Sequence, residues 1–275
     1  MATDMPIVND SFAATVQRLK KSLPQGILLH GEQGIGLNTI AQYIAGKNPM
    51  TVVPLSKKGD VDPISGTISI ERIRSLYEQT RSGGVSVVLI DNADRMSINA
   101  QNAFLKLLEE PSSKLHFILT SHHPDQLLPT IQSRVQAHHV PRISDQQSRS
   151  ILAFSKLTAE QQTQALFLAA GRPALLLHYS NNPATLTSQA AVMNDARQFL
   201  SGTSRYERLK AALRYSSSRS EALKLIDATV QIMRHSLYHA PSEQNATTAA
   251  RLLTLHDAIE RNASPRLQLV QFVLE

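Results

Sequence analysis

Residues 85–95 read VSVVLIDNADR, and this stretch decides the fold class. It contains an unbroken apolar run, Val87–Ile90, which is typical of a strand buried on both faces of a parallel sheet. Asp91 follows at the carboxyl end of that strand, where parallel α/β sheets bind their ligands. Ser97 can cap the next helix, and a second apolar run, His116–Thr120, comes after it. The stretch therefore predicts the centre of a phosphate-binding α/β domain.

A glycine loop follows an earlier predicted strand, Gly26–His30. The loop reads GEQGIGLNT over residues 31–39 and leads into a segment with helical spacing, as a phosphate-binding loop does. The phosphate-loop pattern, G-x-x-x-x-G-K-[ST], requires a lysine for the phosphates and a hydroxyl for Mg²⁺, but Leu37 and Asn38 stand in those places. The residues predict a loop that keeps the shape and lacks the chemistry. The other interpretation is a plain glycine turn between strand and helix.

The candidate nucleotide-binding residues of this loop are Gly31, Gly34, Gly36, Asn38 and Thr39. Backbone N–H groups of such a loop can still bind ADP weakly, because glycine loops and helix N-termini bind anions without a side chain. Without the lysine and the hydroxyl, binding of ATP or ADP is doubtful. We expect no ATP turnover by this chain and no resident cofactor.

The remaining patterns complete an α/β domain that is followed by helices. Edge strands are predicted at Thr51–Leu55 and Thr67–Ser69, and a last strand at Val135–Val140. Strands that alternate with helices predict a doubly wound parallel sheet with helices on both faces. After the last strand only helical patterns remain. We predict an α/β domain over residues 1–141, a small helical domain over 142–182 and a helical C-terminal domain over 183–275.

Composition narrows the classes of function. The chain has no cysteine, which rules out disulfides and thiolate metal sites and suits a reducing compartment. No run approaches the roughly 18 apolar residues of a membrane helix, and residues 1–10 lack the features of a signal peptide. We therefore expect a cytoplasmic chain without a membrane partner. The net charge of +6 permits a nucleic-acid partner, whereas 5% aromatic content without Trp disfavours a stacking platform for single strands.

Several runs carry a resemblance to a known family. They are ISIERIRSLYEQTR, VVLIDNADRM, NAFLKLLEEP, FILTS and SRV, and they lie in this order between residues 68 and 135. They resemble the clamp-loader branch of the AAA+ proteins, and within it the delta-prime subunits of bacterial DNA polymerase III. The resemblance is dense over residues 23–140 and architectural beyond them. It implies an AAA+ α/β domain, then a helical lid, then a helical collar that holds a ring of subunits together.

The resemblance also implies roles for single residues. Asp91 would belong to the Walker B segment, Thr120 or Ser121 would occupy the sensor 1 position, with Ser121 as our choice, and Arg172 would lie near sensor 2. Arg134, in the run SRV, would be an arginine finger that reaches the ATP site of a neighbouring subunit. The other interpretation of Arg134 is a surface arginine that pairs with an acidic neighbour.

Three departures from the family pattern bear on activity. The phosphate loop is degenerate at Leu37, and Asn92 stands where an active member has the glutamate that polarises water. Many relatives carry a four-cysteine zinc module after the first helices, but the corresponding segment, Lys47–Gly66, has no Cys and no His. We therefore expect no ATPase activity in this chain and no zinc.

The resemblance thus implies a non-catalytic clamp-loader subunit, active in DNA replication. Its partners would be tau/gamma and delta subunits, primed DNA and, through the complex, the sliding clamp. One alternative is a tau/gamma-like subunit that hydrolyses ATP with an altered loop. A third interpretation is a free-standing DNA-binding adaptor.

Other clusters have a functional and a structural interpretation. One face of a predicted helix carries three basic residues, Arg72, Arg74 and Arg81, which would either contact DNA phosphates or be solvated. Asp91 could coordinate Mg²⁺ or end a strand. His235 and His239 have the spacing of helix neighbours but no evident third metal ligand, so we take them as solvated. Adjacent Glu109 and Glu110 point apart on a helix, and we take them as solvated too.

Overall fold

In this computed structural model the described residues are 5–63, 65–81, 86–109 and 115–274, without the side chains of Arg81 and His239. The five strands are β1 (Gly26–His30), β2 (Met50–Val52), β3 (Val87–Ile90), β4 (His116–Ser121) and β5 (Gln136–His139). All pair in parallel, in the order β2-β3-β4-β1-β5. The predicted parallel sheet is confirmed.

One predicted strand is wrong. Residues 67–69 do not join the sheet, because their backbone groups bond to neighbouring turns: Thr67 makes an antiparallel bridge with Leu55, and Ile68 a single parallel bridge with Met96. The strand predicted at Thr51–Leu55 is shorter and lies at residues 50–52. Pro54 follows that strand and has no N–H to donate to a ladder.

Helices cover both faces of the sheet, as predicted. They are α1 (Asp10–Lys21), α2 (Leu37–Ala45), α3 (Ile70–Arg81), α4 (Ile98–Glu109) and the short α5 (Pro129–Gln132). Side chains of a strand alternate between faces, so Ile27 and Leu29 pack in the core that contains α1 and α2, while Leu28 packs in the core that contains α3 and α4. All three are at most 1% exposed, which is typical of a strand covered on both sides.

Three short helices follow the sheet: α6 (Asp145–Leu152), α7 (Ala159–Ala169) and α8 (Pro173–Asn181). Ser144 and Thr158 cap α6 and α7 through reciprocal capping boxes with Gln147 and Gln161. These helices lie with the sheet in one compact unit, Met1–Asn181. The boundary predicted between the α/β domain and the small helical domain stays a prediction.

The second compact unit, Asn182–Glu275, is helical. Its helices are α9 (Pro183–Ser201), α10 (Arg205–Arg214), α11 (Arg219–His239), α12 (Glu243–Glu260) and α13 (Pro265–Leu274). Phe199 and Phe272 stack in its core with ring centroids 5.1 Å apart. Asp195 accepts hydrogen bonds from Arg214 and Tyr215. Among the helices of the described residues, none combines the length and the apolar character that crossing a membrane requires.

Candidate nucleotide site

The strand register brings the predicted site together at the carboxyl edge of the sheet. His30 pairs with Ser121 on one side and with His139 on the other. Ile90 pairs with Leu119, so Asp91 comes to lie beside Thr120. The glycine loop and the predicted Walker B and sensor 1 segments therefore meet where the ligands of such sheets bind.

The glycine loop leads into α2 through two residues with positive φ. Gly34 and Gly36 have φ values of +84° and +94°, which favour glycine, and α2 begins directly after them. Leu37, which stands in the place of the lysine, points into the core. It is 3% exposed and packs with residues of α1. Thr39 is exposed and lines a surface pocket with Tyr43 and Thr51.

Both oxygens of Asp91 are occupied by hydrogen bonds from the chain itself. The amide nitrogen of Asn38 donates to Asp91 Oδ2 at 2.8 Å, and the hydroxyl of Thr120 donates to Asp91 Oδ1 at 2.6 Å. Thr120 Oγ1 in turn accepts the backbone N–H of Asn92 at 2.9 Å. We call these three side chains the Asn38–Asp91–Thr120 network. It joins α2, β3 and β4 where a phosphate loop would hold Mg²⁺.

The network does not fit a magnesium ion. Mg²⁺ requires near-octahedral oxygen coordination and is held by carboxylates and hydroxyls, whereas Asn38 presents an N–H donor to the carboxylate. The other end of that amide, Asn38 Oδ1, is buried without a hydrogen-bond partner among the described residues. An unsatisfied buried acceptor costs about 1–3 kcal/mol. One amide oxygen does not replace the missing ligands.

Of the two residues considered for the sensor 1 position, Thr120 bonds to Asp91, whereas Ser121 bonds within its own turn. Ser121 is fully buried, and its hydroxyl accepts the backbone N–H of His123 at 3.1 Å within its own turn. Asn92 has left-handed backbone torsions, φ 51° and ψ 57°, which Asn tolerates better than most residues. The contact between Thr120 and Asp91 was not singled out in the sequence, because two adjacent hydroxyl residues gave no signal for which one faces Asp91.

Helix α8 lies directly against the loop. The backbone N–H of Leu175 donates to the carbonyl of Gly34 at 3.1 Å. A Cβ on Gly34 would lie 2.9 Å from Leu175 Cβ, so α8 leaves no room there for a side chain. The guanidinium of Arg172 donates to Gln33 O at 3.4 Å and also caps the end of α7 through Leu168 O and Ala169 O. Arg172 thus binds backbone carbonyls of both the loop and α7.

An ion pair beside the loop was missed in the sequence. The guanidinium of Arg142 donates two hydrogen bonds to Glu32 Oε2, from Nε at 3.1 Å and from Nη2 at 2.5 Å. The carbonyl of Arg142 accepts the side-chain amide of Asn9 at 2.6 Å, and Ile143 N–H donates to Gly171 O at 2.9 Å. These contacts tie the loop to the segment that leads to α6. Glu32 and Arg142 are 110 residues apart, so no local pattern could pair them.

Arg134 lies at the opposite, amino edge of the sheet. Its carbonyl is 3.5 Å from where a Cβ on Gly26, the first residue of β1, would lie, whereas the glycine loop follows the last residue of β1. Five strand residues span about 16 Å, so Arg134 cannot reach the loop of its own chain. Arg134 Nη2 is 2.8 Å from Glu109 Oε1, and Nη1 donates to Thr130 O at 3.0 Å. The arginine therefore has an acidic neighbour, and Glu109 is not merely solvated.

The chain is similar in sequence to known subunits of DNA polymerase III. Residues 50–144 match the family described as "DNA polymerase III, delta subunit". The chain is 31% identical over 183 residues to DNA polymerase III subunit delta' of Pseudomonas aeruginosa, a match that covers 62% of this chain and 54% of that protein. It is 32% identical over 146 residues to subunit delta' of Escherichia coli, with coverage of 50% and 42%.

The chain resembles the AAA+ clamp-loader family, which these matches support. It spans about half the length of the curated delta' relatives that it matches. It is also 26% identical over 230 residues to subunit tau of Escherichia coli, which covers 74% of this chain and 34% of that protein. A gamma-subunit-related protein from Thermotoga maritima shares the fold, with a TM-score of 0.58, 19% identity and coverage of 94% and 97% of the two chains.

The arginines predicted to contact DNA lie on α3. Arg74 is exposed and Arg72 is half-buried, while Ile73 and Leu76 pack their side chains into the core. The side chain of Arg81 lies outside the described residues. The structure thus presents Arg74 to solvent, and a role in DNA binding stays a prediction.

The segment in place of the zinc module folds on backbone contacts. Leu55 bridges Val61 and Thr67, and a Cβ on Gly66 would lie 2.2 Å from Asp62 O, so only glycine fits there. In the part of the chain that the structure describes, one group has metal-ligand spacing, namely His256, Asp257 and Glu260 on α12. Both carboxylates are exposed, and such surface groups are common without an ion.

Proposed function

We propose that this chain is a non-catalytic, delta-prime-like subunit of a DNA polymerase III clamp loader. It assists the ATP-dependent loading of the sliding clamp onto primed DNA in the cytoplasm, in a ring with tau/gamma and delta subunits. The observation that carries the proposal is the Asn38–Asp91–Thr120 network, in which protein donors occupy both oxygens of the carboxylate that an active site would give to Mg²⁺. Similarity to proteins named delta' supports the choice of subunit.

The chain itself does not turn over ATP. It lacks the lysine, the metal-binding hydroxyl and the glutamate of an active site, because Leu37, Asn38 and Asn92 stand in their places. Steady-state phosphate release by the purified chain, with primed DNA present, should equal that of the Asp91→Ala variant. A rate that the Asp91→Ala substitution abolishes would favour the alternative, a tau/gamma-like ATPase with an altered loop.

Arg134 is proposed to act as an arginine finger on a neighbouring subunit. It lies too far from its own loop to serve it, and its side chain is 39% exposed. A planar guanidinium can bind developing phosphate charge with two parallel hydrogen bonds. In GTPases, arginine fingers of this kind increase the rate of GTP hydrolysis by roughly 10³- to 10⁵-fold.

Reconstitution with tau/gamma, delta, the sliding clamp and primed DNA tests the finger. Arg134→Ala should leave assembly intact but lower clamp loading and the DNA- and clamp-stimulated ATPase rate. Arg134→Lys should restore little, since a point charge cannot reproduce the fork. Arg149→Ala, which removes an exposed arginine of α6, is the matched control and should load clamps like the wild type. If Arg134→Ala does so as well, Arg134 is not a finger.

A DNA contact through α3 is proposed on the exposure of Arg74 and the partial exposure of Arg72. The logarithm of the DNA-binding constant falls linearly with the logarithm of the salt concentration. Each phosphate contact removed should reduce the steepness of that line by about 0.9. The double variant Arg72→Ala/Arg74→Ala of the reconstituted complex should therefore bind primed DNA more weakly at low salt. An unchanged slope would mean that this face is only solvated.

A further inference from the structure

The ion pair between Glu109 and Arg134 joins two elements at the amino edge of the sheet. Glu109 is the last described residue of α4, and Arg134 lies two residues after the end of α5. Arg134 Nη2 lies 2.8 Å from Glu109 Oε1, and the two side chains are 39% and 50% exposed. The guanidinium is held from a second direction by Thr130 O, 3.0 Å from Nη1. Two acceptors from separate elements thus restrain one side chain.

Helix stability does not explain a glutamate at this position. The C-terminal end of a helix carries a partial negative charge, so a carboxylate in the last turn is disfavoured and a cation is preferred. Glu109 occupies that place in α4, and Arg134 is its ion-pair partner. The carboxylate is therefore better explained by what it does to Arg134.

The contacts leave part of the guanidinium available. Arginine has five N–H donors in one plane. Nη1 contacts Thr130 O at 3.0 Å and Ser133 Oγ at 3.4 Å, and Nη2 lies 2.8 Å from Glu109 Oε1. The N–H of Nε and the second N–H of Nη2 remain for a ligand that approaches from solvent. An unrestrained arginine side chain would lose rotamer entropy on binding a phosphate, and a side chain already held in place loses less.

We infer that Glu109 is a positioning residue for Arg134, which holds the guanidinium in the orientation that receives the phosphate of a neighbouring subunit. This inference rests on the proposed finger function of Arg134. Glu109 itself does not touch the nucleotide. Its carboxylate fixes one terminal nitrogen and leaves the N–H of Nε and the second N–H of Nη2 for the phosphate.

The test compares Glu109→Ala, Glu109→Gln, Arg134→Ala and the double variant Arg134→Ala/Glu109→Ala in the reconstituted clamp loader. Clamp loading on primed DNA is measured as a function of ATP concentration. Glu109→Ala should lower the maximal rate by about two- to fivefold, the range expected from an exposed ion pair, and leave the half-saturating ATP concentration unchanged. Glu109→Gln keeps an acceptor oxygen and should recover part of the rate. Glu160→Gln, an exposed glutamate of α7, should behave like the wild type.

The double variant separates positioning from a general structural role. If Glu109 acts through Arg134, adding Glu109→Ala to Arg134→Ala should lower the rate no further. The urea midpoint of the isolated Glu109→Ala chain should match that of the wild type. An equal loss in both backgrounds, a wild-type rate for Glu109→Ala, or a faster rate would each overturn the inference. If Arg134→Ala itself has no effect, the finger proposal fails and this inference fails with it; if only Glu109→Ala has none, the finger stands alone.

Discussion

The two edges of the sheet use similar polar groups in opposite ways. At the carboxyl edge, Asp91 is a carboxylate whose two oxygens are both bonded to other parts of the chain, Asn38 and Thr120. At the amino edge, Arg134 is also bonded to its own chain, but it is 39% exposed and keeps donors for a further partner. One edge has turned its polar groups inward to hold the fold, and the other still presents its charge to solvent.

The difference between the edges is one of energetics as well as position. Groups at the carboxyl edge lie in or beside the core, so changing them should cost stability. Exposed ion pairs contribute about 0–1 kcal/mol, so changing Arg134 should cost function and little stability. The predictions below test that separation.

The largest expected effect is at Leu37. Leu37→Lys would restore the lysine of the phosphate-loop pattern but place an ammonium group at a position that is 3% exposed. The lost burial and the cost of a charge in the core should lower the free energy of unfolding by about 2–5 kcal/mol, measured by urea denaturation. Arg134→Ala is the contrast and should cost less than about 1 kcal/mol. Equal losses in the two variants would remove the distinction between the edges.

Asp91 should also behave as a structural residue. Asp91→Ala leaves the Asn38 amide and the Thr120 hydroxyl without their acceptor, which should cost about 1–3 kcal/mol of unfolding free energy. Asp125→Ala, at an exposed carboxylate of the same unit, should stay within about 0.5 kcal/mol of the wild type. A wild-type urea midpoint for Asp91→Ala would mean that the network contributes nothing to stability.

The contact between α8 and the loop can be isolated with two glycines. Gly34 and Gly46 both have positive φ, +84° and +77°, so an alanine is strained at either. Only at Gly34 would the new Cβ meet another residue, Leu175, whereas nothing lies within 4 Å at Gly46. Gly34→Ala should therefore destabilise the chain by about 1 kcal/mol more than Gly46→Ala. Equal melting temperatures would show that α8 yields freely to a methyl group.

The smallest expected effect is a pH dependence from β1 and β5. Burial lowers the pKa of His30, with help from His139 and His138, and burial together with Arg18 lowers the pKa of His138. Below pH 6.5, the ordinary histidine pKa, these histidines bind more protons in the unfolded chain than in the folded chain. The free energy of unfolding therefore falls as the pH drops below 6.5. Urea midpoints from neutral to mildly acidic pH should show the decline, and His138→Gln should reduce it. A flat wild-type profile would contradict the effect.

Much of the architecture could be predicted from local sequence. The apolar runs at Gly26–His30 and Val87–Ile90 became strands at those residues, because short runs buried on both faces leave few alternatives. The run at residues 67–69 did not, because a β-like composition cannot tell a sheet edge from a turn that bonds to its neighbours. The loop expected without phosphate-binding chemistry rests on Leu37 and Asn38, and it stays a prediction.

The partners of the polar groups could not be predicted. Asn38 binds Asp91 across 53 residues, and α8 brings Leu175 to Gly34 across 141 residues of chain. Such pairs depend on the strand order and on the approach of α8, neither of which leaves a periodic signal. Sequence showed which chemistry was missing from the loop; only the fold shows what took its place.

The hydrogen bond from Asn38 to Asp91 has a consequence in terms of mass action. A metal ion or a nucleotide occupies a site according to its free concentration, and its stabilising effect follows RT ln(1 + [L]/Kd). The amide of Asn38 is part of the chain, so its occupancy of Asp91 depends on no ligand concentration. Under the proposed function, this subunit would keep one form whatever the ratio of ATP to ADP or the supply of magnesium in the cell, while its neighbours respond to both.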